Sequence, residues 1–121
     1  MAHRPVCESV CNSCPFRRKA IAGWLGRAEP EGFISSILRD EPLPCHPTID
    51  YDDPEWRSKW FAGETGQMCR GALVLMANMA KWPRSKTIPM VAPDTKTVFE
   101  TPQEFIKHHR SSRVRSWEME D

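Results

Sequence analysis

Cys11-Asn12-Ser13-Cys14-Pro15-Phe16-Arg17 decides how this chain is read, because two cysteines separated by two residues form a knuckle whose thiolates face one centre. Two later stretches complete the pattern, Pro44-Cys45-His46 and Cys69-Arg70-Gly71. Cys45 and Cys69 close a four-sulfur set with Cys11 and Cys14, and such a set takes either one ion or one cluster. Pro15 stops the knuckle from running on as a strand. Pro42, Pro44 and Pro47 keep Cys45 on an irregular loop, which leaves backbone N–H groups free to face sulfur.

A chain of 121 residues with 40% apolar content has room for one modest core and none for a large barrel enzyme. Its 11 prolines imply many turns. The fold expected is therefore mainly α: a small irregular single domain of short helices and loops with little β, organised around the four-cysteine metal or cluster site. That domain is expected over 1–110, with a polar tail over 111–121. A metal held only by the folded state adds its binding energy to folding, which compensates for a small core.

No apolar run follows the basic start Met1 to Cys7, so no secretory signal is read there. The longest apolar run, from Ala72 to Ala80, falls short of the ~20 residues that span a bilayer. A soluble, cytoplasmic protein without membrane contact is expected. In a reducing compartment, an odd set of 5 cysteines with one C-x2-C pair favours metal or redox chemistry over a disulfide framework.

Around the cysteines the pattern predicts short helices. Phe16 to Leu25 reads as one, with Phe16, Ala20, Ile21, Trp24 and Leu25 inward and Gly26 ending it. Phe33 to Arg39 reads as a second, with Phe33, Ile34, Ile37 and Leu38 at helical spacing. Asp53-Pro54-Glu55 starts a third, carrying Trp56, Trp60 and Phe61 and closed by Gly63. Gly71 to Ala80 is apolar almost all round and is the candidate buried central helix, stopped by Pro83, with Lys81, Arg84 and Lys86 at its C-terminal end. Lys96 to Phe99 alternates as a strand would. Thr101-Pro102-Gln103-Glu104 is a capping box that starts a last helix, running to about His108 or His109, with Phe105 and Ile106 inward. His108 and His109 are expected at the surface. Trp117 is the one tail residue able to dock.

Zn²⁺ and a [4Fe–4S] cluster make the same demand for four thiolates, so spacing decides between them. Structural zinc sites bring two close pairs together, whereas here only Cys11 and Cys14 are paired and Cys45 and Cys69 stand alone. A cluster accepts one cysteine per iron from scattered loops, which ranks [4Fe–4S] first and one Zn²⁺ second. His46 follows Cys45 too closely for both to reach one ion, so its expected role is an N–H donated to a ligand sulfur.

At these residues the chain resembles a group of small bacterial and bacteriophage proteins of unknown function that share C-x2-C-P-[FWY]-R, a later C-H and C-x-G. The likeness covers about residues 11–71. Cys11 to Arg17 also resembles the C-x2-C-P-V-R segment of the WhiB-like iron–sulfur regulators, and that resemblance implies a [4Fe–4S] cluster on four cysteines. No cysteine follows Arg17 by two residues, so the likeness does not extend to transcriptional function. Cys7, Cys11 and Cys14 have the C-x3-C-x2-C spacing that resembles radical S-adenosylmethionine enzymes, whose barrel needs a longer chain, roughly 200 residues. Cys7 is accordingly read as a spare or substitute ligand.

No Ser-His-Asp set, phosphate-binding glycine loop or metalloprotease helix motif is present in the sequence, so no catalytic residues are read. The leading expectation is a small, redox-sensitive iron–sulfur accessory or regulatory protein acting through macromolecular binding. Alternatives are a zinc-stabilised, phage-like, host-interacting protein-binding factor and a small redox enzyme or electron carrier. Net charge is only +1, but Arg17, Arg18 and Lys19 form a basic triplet suited to nucleic acid, with Trp24, Trp82 and Trp117 available for stacking. The acidic segment 40–55 is the alternative surface, suited to a protein partner.

Overall fold

In a computed structural model, which describes residues 5–23, 25, 29–41, 43–81, 83–84 and 88–110, short helices alternate with turns. The elements are α1 (Pro30–Leu38), a 3-10 turn (His46–Thr48), α2 (Trp56–Phe61), α3 (Arg70–Asn78) and α4 over residues 102–110. The chain is mainly α. Among the described residues, β pairing amounts to isolated bridges.

α3 is the buried helix that its composition predicts. Gly71 to Met76 are all buried, because apolar side chains surround the helix and every face must be covered. Against it stacks an aromatic layer. Phe16 and Phe105 lie nearly parallel at 4.8 Å, while Phe33 and Phe99 meet Phe105 edge-on at 6.2 and 6.1 Å. Phe105 is wholly buried, so truncating it to Ala should cost about 3–5 kcal/mol.

Three helices end in one way, with a residue in left-handed conformation and paired backbone bonds back into the last turn. After α1 it is Asp40 (φ 57°), after α2 Gly63 (φ 78°) and after α3 Ala80 (φ 56°). The following N–H groups, of Glu41, Glu64 and Lys81, return to the carbonyls of Ser36, Lys59 and Met76 at 2.9 Å each. The capping box of α4 forms as its sequence implies: the Glu104 N–H donates to Thr101 Oγ1, and the Thr101 N–H donates to Glu104 Oε1, both at 3.2 Å.

Two expected elements do not form. Residues 16–23 make turns rather than a helix, since the Phe99 N–H donates to the Phe16 carbonyl, Arg17 bridges Val98 and the Arg18 N–H donates to the Thr97 carbonyl. Those backbone groups are committed to another segment and cannot close i→i+4 bonds. Phe16 and Leu25 still go inward, but Ile21 points out, 63% exposed. The strand expected at 96–99 shrinks to one bridge at Val98, because Asp94 Oδ1 accepts the N–H groups of Lys96 and Thr97 and curls the chain. Leu38, at helical spacing with Ile34, and Phe61, read on one side with Trp60, both lie exposed. Trp24, Gly26, Trp82, Lys86 and the tail 111–121 lie outside the described residues. No described helix is long and apolar enough to cross a membrane.

Candidate metal centre

Three separate segments meet at Met68. Val6 bridges it in parallel and Pro44 bridges it antiparallel. The Met68 N–H donates to the Pro5 carbonyl at 2.7 Å, the Cys7 N–H to the Met68 carbonyl at 3.2 Å, the Cys45 N–H to the Gln67 carbonyl at 2.6 Å and the Cys69 N–H to the Leu43 carbonyl at 2.8 Å. This small ladder brings Cys7, Cys45 and Cys69 side by side from positions that are remote in sequence.

The knuckle arrives from the other direction. The Cys14 N–H donates to the Cys11 carbonyl at 3.1 Å, which closes the turn. The Cys14 sulfur then lies 3.7 Å from the Cys69 sulfur at the start of α3. Room for it is made by Gly71, where a β-carbon would lie 2.3 Å from Cys14 Sγ and 3.2 Å from Phe16 Cβ. The glycine of Cys69-Arg70-Gly71 is thus explained by contact, not by backbone dihedral.

All five cysteines are free thiols, with Cys7, Cys14, Cys45 and Cys69 buried and Cys11 half-buried. They fall into two linked groups. The Cys14 and Cys69 sulfurs touch, while Cys7 and Cys11 both act electrostatically on Cys45, and Cys45 in turn on Cys69. Among the described residues, no three His, Cys, Asp or Glu side chains converge as they stand on a point that could hold a metal ion. The four expected ligands are therefore neighbours in two groups, and Cys7, read from sequence as a spare or substitute ligand, lies among them.

Their protonation differs with surroundings. The hydrogen bond with Cys69, together with the Phe16 N–H and the Arg17 charge, holds Cys14 below the ordinary thiol range against the opposing effect of burial. The same contact with Cys14, and burial, push Cys69 well up. Burial, then the Cys7 and Cys11 thiols, push Cys45 up. Burial, then Cys45, also raises the Tyr51 phenol. Raised as they are, the Cys45 and Cys69 thiols would ionise beside a strong positive charge, which a bound metal would supply.

Two arginines position the loop that carries Cys7 and Cys11. Arg17 donates through Nε to the Cys11 carbonyl and through Nη2 to the Val10 carbonyl, both at 2.7 Å, and Arg70 donates through Nε to the Cys7 carbonyl at 2.5 Å. Arg18 donates to the Thr95 carbonyl at 2.6 Å and pairs with Glu104 at 3.2 Å. Of the basic triplet, Lys19 is exposed. In the acidic segment, Asp40 pairs with Lys81 and Asp53 with Lys59.

His109 corrects the sequence reading. It is fully buried, accepting the Gly23 N–H at Nδ1 (3.0 Å) and placing Nε2 2.8 Å from the Pro15 carbonyl, so Nε2 carries the proton. It therefore holds the backbone immediately after Cys14. His108 is half-buried, with Nε2 2.7 Å from the Ala20 carbonyl. Their adjacency at a helix end gave no sign of this, since inward and outward positions of α4 are separated only once its start is fixed. The His46 side chain lies outside the described set.

No protein family, characterised protein or solved structure compared with the chain matches it.

Proposed function

We propose that this chain is a small accessory module stapled by a thiolate-bound metal, with Cys14, Cys45, Cys69 and one thiol of the 7–11 loop as donors. The observation that carries this reading is the 3.7 Å between the sulfurs of Cys14 and Cys69, beside a glycine whose β-carbon would occupy the space. Two sulfurs on one tetrahedral zinc, each at about 2.3 Å from it, stand about 3.8 Å apart. The spacing supports Zn²⁺ for this pair, ahead of the cluster favoured by sequence spacing alone. Burial of Cys14, Cys45 and Cys69 supports a closed, structural centre over a catalytic one with an open position. When bound, the ion supplies the charge that keeps the thiolates deprotonated.

A [4Fe–4S] cluster remains the second reading. It is favoured by the division of the thiols into two groups, since cysteines on separate irons stand further apart than ligands of one ion.

The test is metal content and cobalt substitution. Purified protein is expected to hold one zinc per chain, to take up Co²⁺ with the spectrum of a tetrahedral sulfur site, and to melt at lower temperature once a chelator has removed the ion. Anaerobic protein that is brown and contains iron and sulfide would favour the cluster. Protein that binds neither, and melts identically with and without chelator, would end the metal reading.

A further inference from the structure

Arg17 and Arg70 hold the same short loop. Arg17 donates through Nε and Nη2 to the Cys11 and Val10 carbonyls, and Arg70 donates through Nε to the Cys7 carbonyl. Both side chains are half-buried, and these bonds leave Nη1 of Arg17 and both terminal nitrogens of Arg70 without a partner among the described residues. No carboxylate pairs with either guanidinium there, whereas Arg18, Arg39 and Arg110 are each paired with glutamate.

Both arginines line an open groove of about 770 Å³, where Val74, Ala92 and Pro93 add apolar surface. The acidic side chain that also lines it, Asp94, has Oδ1 committed to the N–H groups of Lys96 and Thr97. Two positive charges therefore stand against one negative charge in the groove. Because backbone carbonyls already fix the guanidiniums, an anion that meets them has little left to order in the protein.

Independently of any metal, we infer that this groove binds a small organic phosphate monoester. The unpartnered donors of Arg17 and Arg70 take the phosphate oxygens, and the organic part lies along Val74, Ala92 and Pro93. A phosphate monoester is close to dianionic at pH 7 and matches two guanidiniums, whereas a carboxylate or a nucleic-acid phosphodiester brings one charge. The basic triplet is divided by this arrangement. Arg17 lines the groove, while the Arg18 guanidinium is committed to the Thr95 carbonyl and to Glu104.

The test is equilibrium dialysis of the full-length protein against radiolabelled glycerol 3-phosphate at low salt, with lactate and a short single-stranded oligonucleotide as competitors. One saturable site is expected. Lactate should displace the label only at about tenfold higher concentration, and the oligonucleotide should compete no better per phosphate than glycerol 3-phosphate does. Arg17→Gln and Arg70→Gln keep an amide that can donate to the loop carbonyls but remove the charge, and each should weaken binding by about tenfold or more. Arg18→Gln should leave binding unchanged. Asp94→Asn keeps the Oδ1 acceptor and removes the opposing charge, so it should tighten binding about threefold, a gain that can be read even where an arginine variant fails to fold. Absence of saturable binding at low salt would overturn the inference, as would an equal loss from Arg18→Gln and Arg70→Gln, or no gain from Asp94→Asn. Tighter binding of the oligonucleotide than of the monoester would replace it with a nucleic-acid surface.

Discussion

The sulfur of Cys14 occupies space that a β-carbon on Gly71 would need, at 2.3 Å from that position, whereas a β-carbon on Gly32 in α1 would meet nothing within 4 Å. One substitution should therefore act with opposite signs in two helices. Gly32→Ala gains helix propensity and should stabilise by about 0.5–1 kcal/mol. Gly71→Ala gains the same propensity but must push Cys14 and Phe16 aside, and the overpacking should win, for a net loss of about 1–3 kcal/mol. Urea denaturation of the metal-loaded protein followed by circular dichroism measures both. Shifts of the same sign would show that Gly71 is not there to admit the sulfur.

Asp40 and Lys81 join the ends of α1 and α3, and the pair is largely buried, with side-chain exposures of 11% and 19% and an N–O distance of 2.5 Å. Asp40 also accepts the Arg84 N–H at 2.6 Å. Lys81→Met removes the ammonium paired with this largely buried carboxylate and should cost about 3 kcal/mol. The ion pair of Arg39 with Glu41 is exposed on both sides, at 61% and 53%, and Glu41→Gln should leave stability essentially unchanged. Equal losses from the two variants would refute the assignment of Asp40–Lys81 as a structural link.

Much of this was readable in the chain, and the failures share a cause. α1, α2, α3 and the capping box at Thr101 follow from local patterns, whose hydrogen bonds close within a few residues. The stretch after Cys14 has an equally good helical pattern, yet its backbone is taken by Val98, Thr97 and Phe99, about eighty residues away in sequence. Periodicity carries no record of such pairing. The cysteine neighbourhood was legible as residue types, but the place of Cys7 depends on the bridge from Val6 to Met68, and the burial of His109 depends on Pro15 and Gly23 lying opposite α4.

Ala80 holds a left-handed conformation (φ 56°) at the end of α3, where the α2 terminus has Gly63. A β-carbon in that region costs roughly 1–2 kcal/mol, whereas glycine adopts it freely. Ala80 is exposed, so removing its methyl group sacrifices little packing. Ala80→Gly should therefore stabilise by about 1 kcal/mol, against the usual direction of that change within a helix. Thermal and urea denaturation should agree, and a loss of stability would mean that the terminus is not held in this conformation.

The buried imidazole of His109 should give the protein a pH-dependent stability that vanishes in a specific variant. Burial lowers its pKa, assisted by the positive field that His108 would add, while the Pro15 carbonyl works the other way. The other rings packed against it, Phe99 and Phe105, carry no charge. Protonation would also turn Nδ1 into a donor facing the Gly23 N–H. With the folded pKa below the unfolded one, the unfolded chain binds the proton first, so stability is full above the ordinary histidine pKa of about 6.5 and declines as pH falls below it. The lowered carboxylates, Glu41 beside Arg39, Asp53 beside Lys59, Asp94 beside Thr97 and Glu104 beside the Glu100 N–H, lose their contributions only at lower pH. Urea midpoints between pH 7 and pH 5 should therefore fall for the wild type. His109→Phe should begin about 1–3 kcal/mol less stable, because the Pro15 carbonyl and Gly23 N–H lose their partner, but should show a shallower decline over the same interval. Parallel slopes for the two proteins would remove His109 as the titrating group.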